Sequence, residues 1–162
     1  MREWRIVGID PGLVTTGYGM VVARGPAVTL IEGGTIRPPD RRAPLEHRLV
    51  AIFCDLRDLL REVQPDVVAI EDLYTRYERP RTAILMGHAR GVIALAAGLA
   101  SVPVETFTAS QVKRALTGDG RASKAQVQRA VAELLGLPRV PEPPDVADAL
   151  ALALTCANAR RG

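Results

Sequence analysis

Aromatic residues are scarce in this sequence: two Phe, three Tyr and one Trp make up 4% of 162 residues. Leu, Val, Ile and Ala must therefore fill any core, and each ring calls for its own explanation. Cysteine is limited to Cys54 and Cys156, far apart and in apolar helical contexts. That excludes a disulfide scaffold and the paired spacings of zinc sites, leaving buried reduced thiols as the expectation. The two histidines, His47 and His88, stand alone, so no imidazole cluster offers a metal centre. Neither sign of charge dominates. A net charge of +3 permits a nucleic-acid partner without requiring one. The longest uninterrupted apolar run, residues 91–100, is too short to cross a bilayer. The start, MREWRIVGID, carries charges and leads directly into a strand pattern instead of a secretory signal. A reducing cytoplasm is the expected address, with no membrane partner.

A length of 162 residues with a hydrophobic fraction of 48% suits one globular domain, 1–162. Residues 5–10 form a β-branched strand stopped by Pro11-Gly12, and residues 16–23 and 28–36 are two more strands with a hairpin-length link. Three strands in succession suggest an antiparallel meander. Leu45, Leu49, Ile52, Phe53, Leu56, Leu59, Leu60 and Val63 repeat at helical spacing, ending before Pro65. Residues 67–70 are apolar on both faces, as buried parallel strands are. The pattern then predicts a helix over 81–100, a short strand over 102–106, helices over 109–116 and 123–135, and a last helix over 145–158. The fold class is therefore α/β, with a mixed five-stranded sheet flanked by helices. Crossover helices make the later strands parallel to the first and collect their carboxyl ends on one edge, where ligands gather.

Two strands end there in carboxylates, Asp10 after RIVGI and Glu71 after VVAI. Asp before Pro-Gly is ordinary turn chemistry, so Asp10 alone decides little. Glu71 is harder to explain, because glutamate favours neither strands nor turns. In the last helix Asp148 is the only charge in VADALALALTCA. A helix apolar on all sides is buried, and a buried carboxylate is normally paired or bound to metal. Asp145 lies three residues earlier on nearly the same face; after Pro-Pro it is also a natural N-cap. Four acids, Asp10, Glu71, Asp145 and Asp148, would repel one another without cations, and all-oxygen ligands suit Mg²⁺ or Mn²⁺. Two divalent ions about 3.5–4 Å apart would nearly balance the charges and drive in-line phosphodiester cleavage.

Basic and aromatic residues surround these acids in sequence. YTRYERPR, from Tyr74 to Arg81, interleaves rings with arginines. Such a segment is either a solvated loop or one that stacks unpaired bases and neutralises phosphates. Arg76 belongs to it. Lys113 and Arg114 share one predicted helix, and Lys124 and Arg129 the next; composition alone makes them surface groups.

The ordered set of motifs resembles the RuvC family of Holliday junction resolvases. The pieces are GIDPG with TGYG (Gly8 to Gly12, Gly17 to Gly19), AIE (Ala69 to Glu71), GHARG (Gly87 to Gly91), QVK (Gln111 to Lys113), Lys124 in SKAQVQ, and DVADALALAL (Asp145 to Leu154). They cover nearly the whole chain. The resemblance implies a ribonuclease H-like fold and a homodimer. It implies Mg²⁺-dependent cutting of four-way DNA junctions in recombination and repair, with RuvA and RuvB as branch-migration partners. It places the metal ligands and catalytic acids at Asp10, Glu71, Asp145 and Asp148, and DNA contacts at Tyr74, Lys113 and Lys124. Relatives often carry Phe where Tyr74 stands, and the sequence departs from relatives around Tyr77 to Pro80.

Two other classes fit parts of the chain. DPGLVTTG resembles the phosphate loop of actin-like and sugar-kinase ATP-binding proteins, which require two such domains. A single-domain nuclease acting on structured RNA would share the fold and the early acids.

Overall fold

The computed structural model describes residues 1–72 and 79–161. Five strands form one sheet in the order β3-β2-β1-β4-β5. β1 (Glu3–Asp10), β2 (Thr16–Arg24) and β3 (Ala27–Ile36) are the antiparallel meander, while β4 (Val67–Glu71) and β5 (Val104–Phe107) run parallel to β1. Helix α1 (Leu45–Val63) is the crossover to β4, and α2 (Pro80–Leu99) the crossover to β5. Three helices complete the chain: α3 (Ala109–Thr117), α4 (Lys124–Leu134) and α5 (Pro144–Asn158). The mixed α/β architecture matches the sequence expectation, with boundaries within about two residues, the usual scatter at element ends.

The core has two halves, one on each face of the sheet. On one face α1 and α2 pack Ile52, Leu56, Ala89 and Ile93 against Val7, Ile9, Val68 and Ile70. On the other, α5 lays Leu150, Ala153 and Leu154 over Ile6, Val21 and Ala69, with α3 and α4 outside it. Strict alternation along β1 and β4 supplies both halves, which is why these two strands look apolar throughout.

α5 lies unusually close to the strands, and glycine is the reason. A Cβ on Gly8 would stand 1.9 Å from the Ala149 carbonyl oxygen, and one on Gly17 would stand 2.2 Å from that of Asp145. Only a strand face without side chains admits a helix backbone at that range. Nearly every residue of α5 from Val146 to Ala157 is buried, apart from Asp148. Pro143 occupies the N-cap and no side chain caps the helix, so Asp145 is not the capping residue. Its carboxylate is free for other work.

At the far edge from Asp10, the lone Trp4 is held between Arg2 at 3.8 Å and Arg160 at 4.5 Å. Arg160 also pairs with Glu105 and donates to the Cys156 carbonyl at 3.1 Å. Both cysteines are free, and burial pushes the Cys156 thiol up to about 12, an inert group.

Candidate active site

The parallel pairing of β1 with β4 sets Ile9 against Ile70 in register. The next residues, Asp10 and Glu71, therefore leave two neighbouring strands side by side at the carboxyl rim of the sheet. The turn after Asp10 is fixed by Thr16, fully buried, whose hydroxyl donates to the Gly12 carbonyl at 2.7 Å and accepts from its N–H at 3.2 Å. The end of β4 is fixed from α2: Arg90 donates to the Glu71 carbonyl at 2.8 Å and lies 3.8 Å from Asp72. Nothing in the sequence beyond its place in GHARG marks Arg90 for this role.

The first turns of α5 bring the other two acids to the same rim. Asp10, Glu71 and Asp148 line one cavity of about 290 Å³ together with Lys113 and Lys124. Asp145 stands at the next groove, beside the Pro11–Thr15 turn. Asp10 carries the electrostatic record of this arrangement. Burial raises it first, then Asp148, Asp145 and Glu71 in turn, countered by Lys124, to about 7. Glu71 is likewise raised, by burial and then by Asp148, and is eased downward by Lys113, Lys124 and Arg90. The Lys124 ammonium lies 3.0 Å from Asp148. The four acids thus share a rim without converging on a point: among the described residues no three acidic, histidine or cysteine side chains stand ready around one ion. Mutual repulsion, with a lysine on Asp148, is a sufficient cause.

Both lysines owe their placement to capping. Thr108 and Gln111 form a reciprocal capping box at the start of α3, and Ser123 and Gln126 form another at the start of α4. These boxes fix the first turns of two helices beside α5, with Lys124 as the first residue of its helix. TASQ and SKAQ are the sequence signals for them. Tyr74, Arg76 and Tyr77 lie outside the described residues.

A sheet rim of four acids with two lysines over it accords with many phosphoryl-transfer sites, and comparison with known proteins separates them. The family model described as crossover junction endodeoxyribonuclease RuvC matches residues 6–156. The chain belongs to the RuvC family. A RuvC from Rhodopirellula baltica is 51% identical over 149 residues, covering 92% of this chain and 83% of the relative. One from Desulforamulus reducens is 45% identical, covering 92% and 90%. Among solved structures, Thermus thermophilus RuvC in complex with Holliday junction substrate superposes with a TM-score of 0.90 at 35% identity, covering 98% of this chain and 95% of that one. The fold is therefore that of the RuvC family, a ribonuclease H-like sheet, and the motifs that suggested the resemblance are the ones that build the rim.

Proposed function

We propose that the chain, as one nuclease domain over 1–162, cuts four-way DNA junctions by metal-dependent phosphodiester hydrolysis, with symmetric paired nicks, in recombination and repair. The observation that carries this is the acidic rim beneath Lys113 and Lys124 in a member of the RuvC family. The donor set fits a hard divalent cation. It is all oxygen and half-buried, and burial together with the charges of Asp148, Asp145 and Glu71 raises Asp10 to about 7. Asp10, Glu71, Asp145 and Asp148 would hold Mg²⁺, two per site, with Mn²⁺ as a substitute. Ions bound there would supply activation of the attacking water and stabilisation of the leaving oxygen.

The protein's own groups do the rest. Lys113 and Lys124, on two helices over the cavity, neutralise the phosphate of the strand to be cut. Arg90 holds the Glu71 backbone so that its carboxylate stays beside Asp10. Tyr74 and Arg76 follow directly after Glu71 in sequence, where a ring can stack on an unpaired base and a guanidinium can meet its phosphate.

Paired nicks require two copies. One face of α2 supports a homodimer: Ile84, Gly87, Gly91, Leu95 and Gly98 are exposed at a spacing of three or four, with Ile84 at 62% and Leu95 at 55%. A Cβ at any of those three glycines would meet nothing within 4 Å. Such a stripe of small and apolar residues lets a second helix approach closely about a two-fold axis. By length and composition alone α2 is also apolar enough to cross a membrane; a protein partner on that face is the reading the family favours. Family membership likewise supports RuvA and RuvB as partners, and the two free thiols suit a cytoplasmic setting.

The test is incubation with an end-labelled four-way junction, with and without Mg²⁺, beside a folded RNA of similar size. Cleavage of the junction alone, and only with the ion, is the expected result; cutting of the RNA instead would transfer the site to the RNA-acting class.

A further inference from the structure

A second groove, of about 470 Å³, opens at the rim beside the acids. It lies on the opposite face of the sheet from the lysine-lined cavity. Its walls are the Pro11–Thr15 turn, Asp145, Arg48 on α1, and Thr82, Leu85 and Met86 on α2. Asp10 lines the first cavity and Asp145 the second, and the two carboxylates feel each other's charge. A strand that crosses the acids can therefore enter one depression and leave by the other.

Arg48 is the only cation lining the second groove among the described residues. Its Nε is buried and has no hydrogen-bond partner, and Arg48 takes part in none of the ion pairs among the described residues. Arg160 also has an unpartnered Nε, but its guanidinium is already satisfied by Glu105. A permanently charged, partly buried guanidinium that no described residue pairs with suits an anionic ligand, and its fork matches a phosphate. The apolar walls, Leu85 and Met86, suit the sugar or base attached to such a phosphate.

We propose that this groove is a second phosphate subsite, in which Arg48 holds a phosphodiester of the cleaved strand on the far side of the acids from Lys113 and Lys124. The subsite rests on the junction-cutting reading and deepens it. The strand is then gripped on both flanks of the bond to be broken, which fixes its direction across the rim.

The experiment measures binding of a labelled four-way junction across a series of salt concentrations, without divalent ions so that nothing is cut. Arg48→Gln is expected to weaken binding about tenfold and to make the slope of log affinity against log salt shallower by about 0.9, the loss of one phosphate contact. Arg48→Lys keeps the slope, because the charge remains. Thr82→Glu, at an exposed groove position, puts a negative charge in the same place and must weaken binding even if Arg48→Gln fails to fold. A wild-type slope in folded Arg48→Gln overturns the subsite whatever happens to its melting temperature, since a merely structural arginine changes stability and not counter-ion release. Unchanged affinity in Thr82→Glu overturns it as well. A wild-type protein that binds no junction strikes the underlying functional reading, and the subsite falls with it.

Discussion

Asp10 is the residue on which the chemistry and the stability of the site conflict. Its carboxyl is raised to about 7 from an ordinary 3.8, chiefly by burial and then by Asp148, Asp145 and Glu71. Between those two values the folded protein binds more protons than the unfolded one, so stability falls as pH rises from about 4 to about 7. Without metal, Asp10→Asn should therefore melt higher than wild type, with a gap that widens between about pH 4 and about pH 7. A gap independent of pH, measured with a chelator present, would mean that Asp10 is solvated and carries no strain. Asp148 shows the complementary case. Asp148→Asn is expected to abolish cleavage while leaving junction affinity largely intact, because basic residues dominate phosphate binding. Cutting at the wild-type rate would make Asp148 a structural residue. The place of all four acids at the rim was legible in the sequence: Asp10 and Glu71 as strand ends, Asp148 as a charge within an apolar helix, and Asp145 as its neighbour three residues earlier. Arg90 and Arg48 were not, because helical arginines resemble solvated surface until the neighbouring backbone is known.

Each element was legible from its apolar period, and the small differences have local causes. β5 begins at Val104, not Val102, because the Val102 N–H turns back to the Ala97 carbonyl at 2.9 Å and closes the end of α2. α2 begins at Pro80, where proline suits the first helical position. The sequence did not disclose how closely α5 approaches β1 and β2. The glycines of GIDPG and TGYG looked like turn or motif residues, yet Gly8 and Gly17 leave the strand face bare so that the helix carrying Asp145 and Asp148 can rest on it. Gly8→Ala pushes a methyl into the Ala149 carbonyl, which is backbone and cannot rotate away. The expected cost is about 1–3 kcal/mol in chemical denaturation, with cleavage falling further than stability because the acids move off the rim. Wild-type cleavage in a destabilised Gly8→Ala protein would separate helix placement from catalysis.

At the scale of the whole molecule, the sheet gathers the acids on one rim while α2 leaves an apolar stripe uncovered. Leu95→Glu places a charge in the middle of that stripe, more than half exposed in the single chain, so the fold should tolerate it. Sedimentation is expected to find a dimer for wild type and a monomer for the variant, and the variant should nick junctions on one strand at a time. A Leu95→Glu dimer would put the two-fold axis elsewhere. What the molecule does still depends on whether the rim holds cations. Calorimetric titration of Mn²⁺ into wild-type protein and into Asp148→Asn tests this most directly. Saturable binding to the wild type, lost or greatly weakened in the variant, is the predicted result; no binding, or identical isotherms for both proteins, would contradict it.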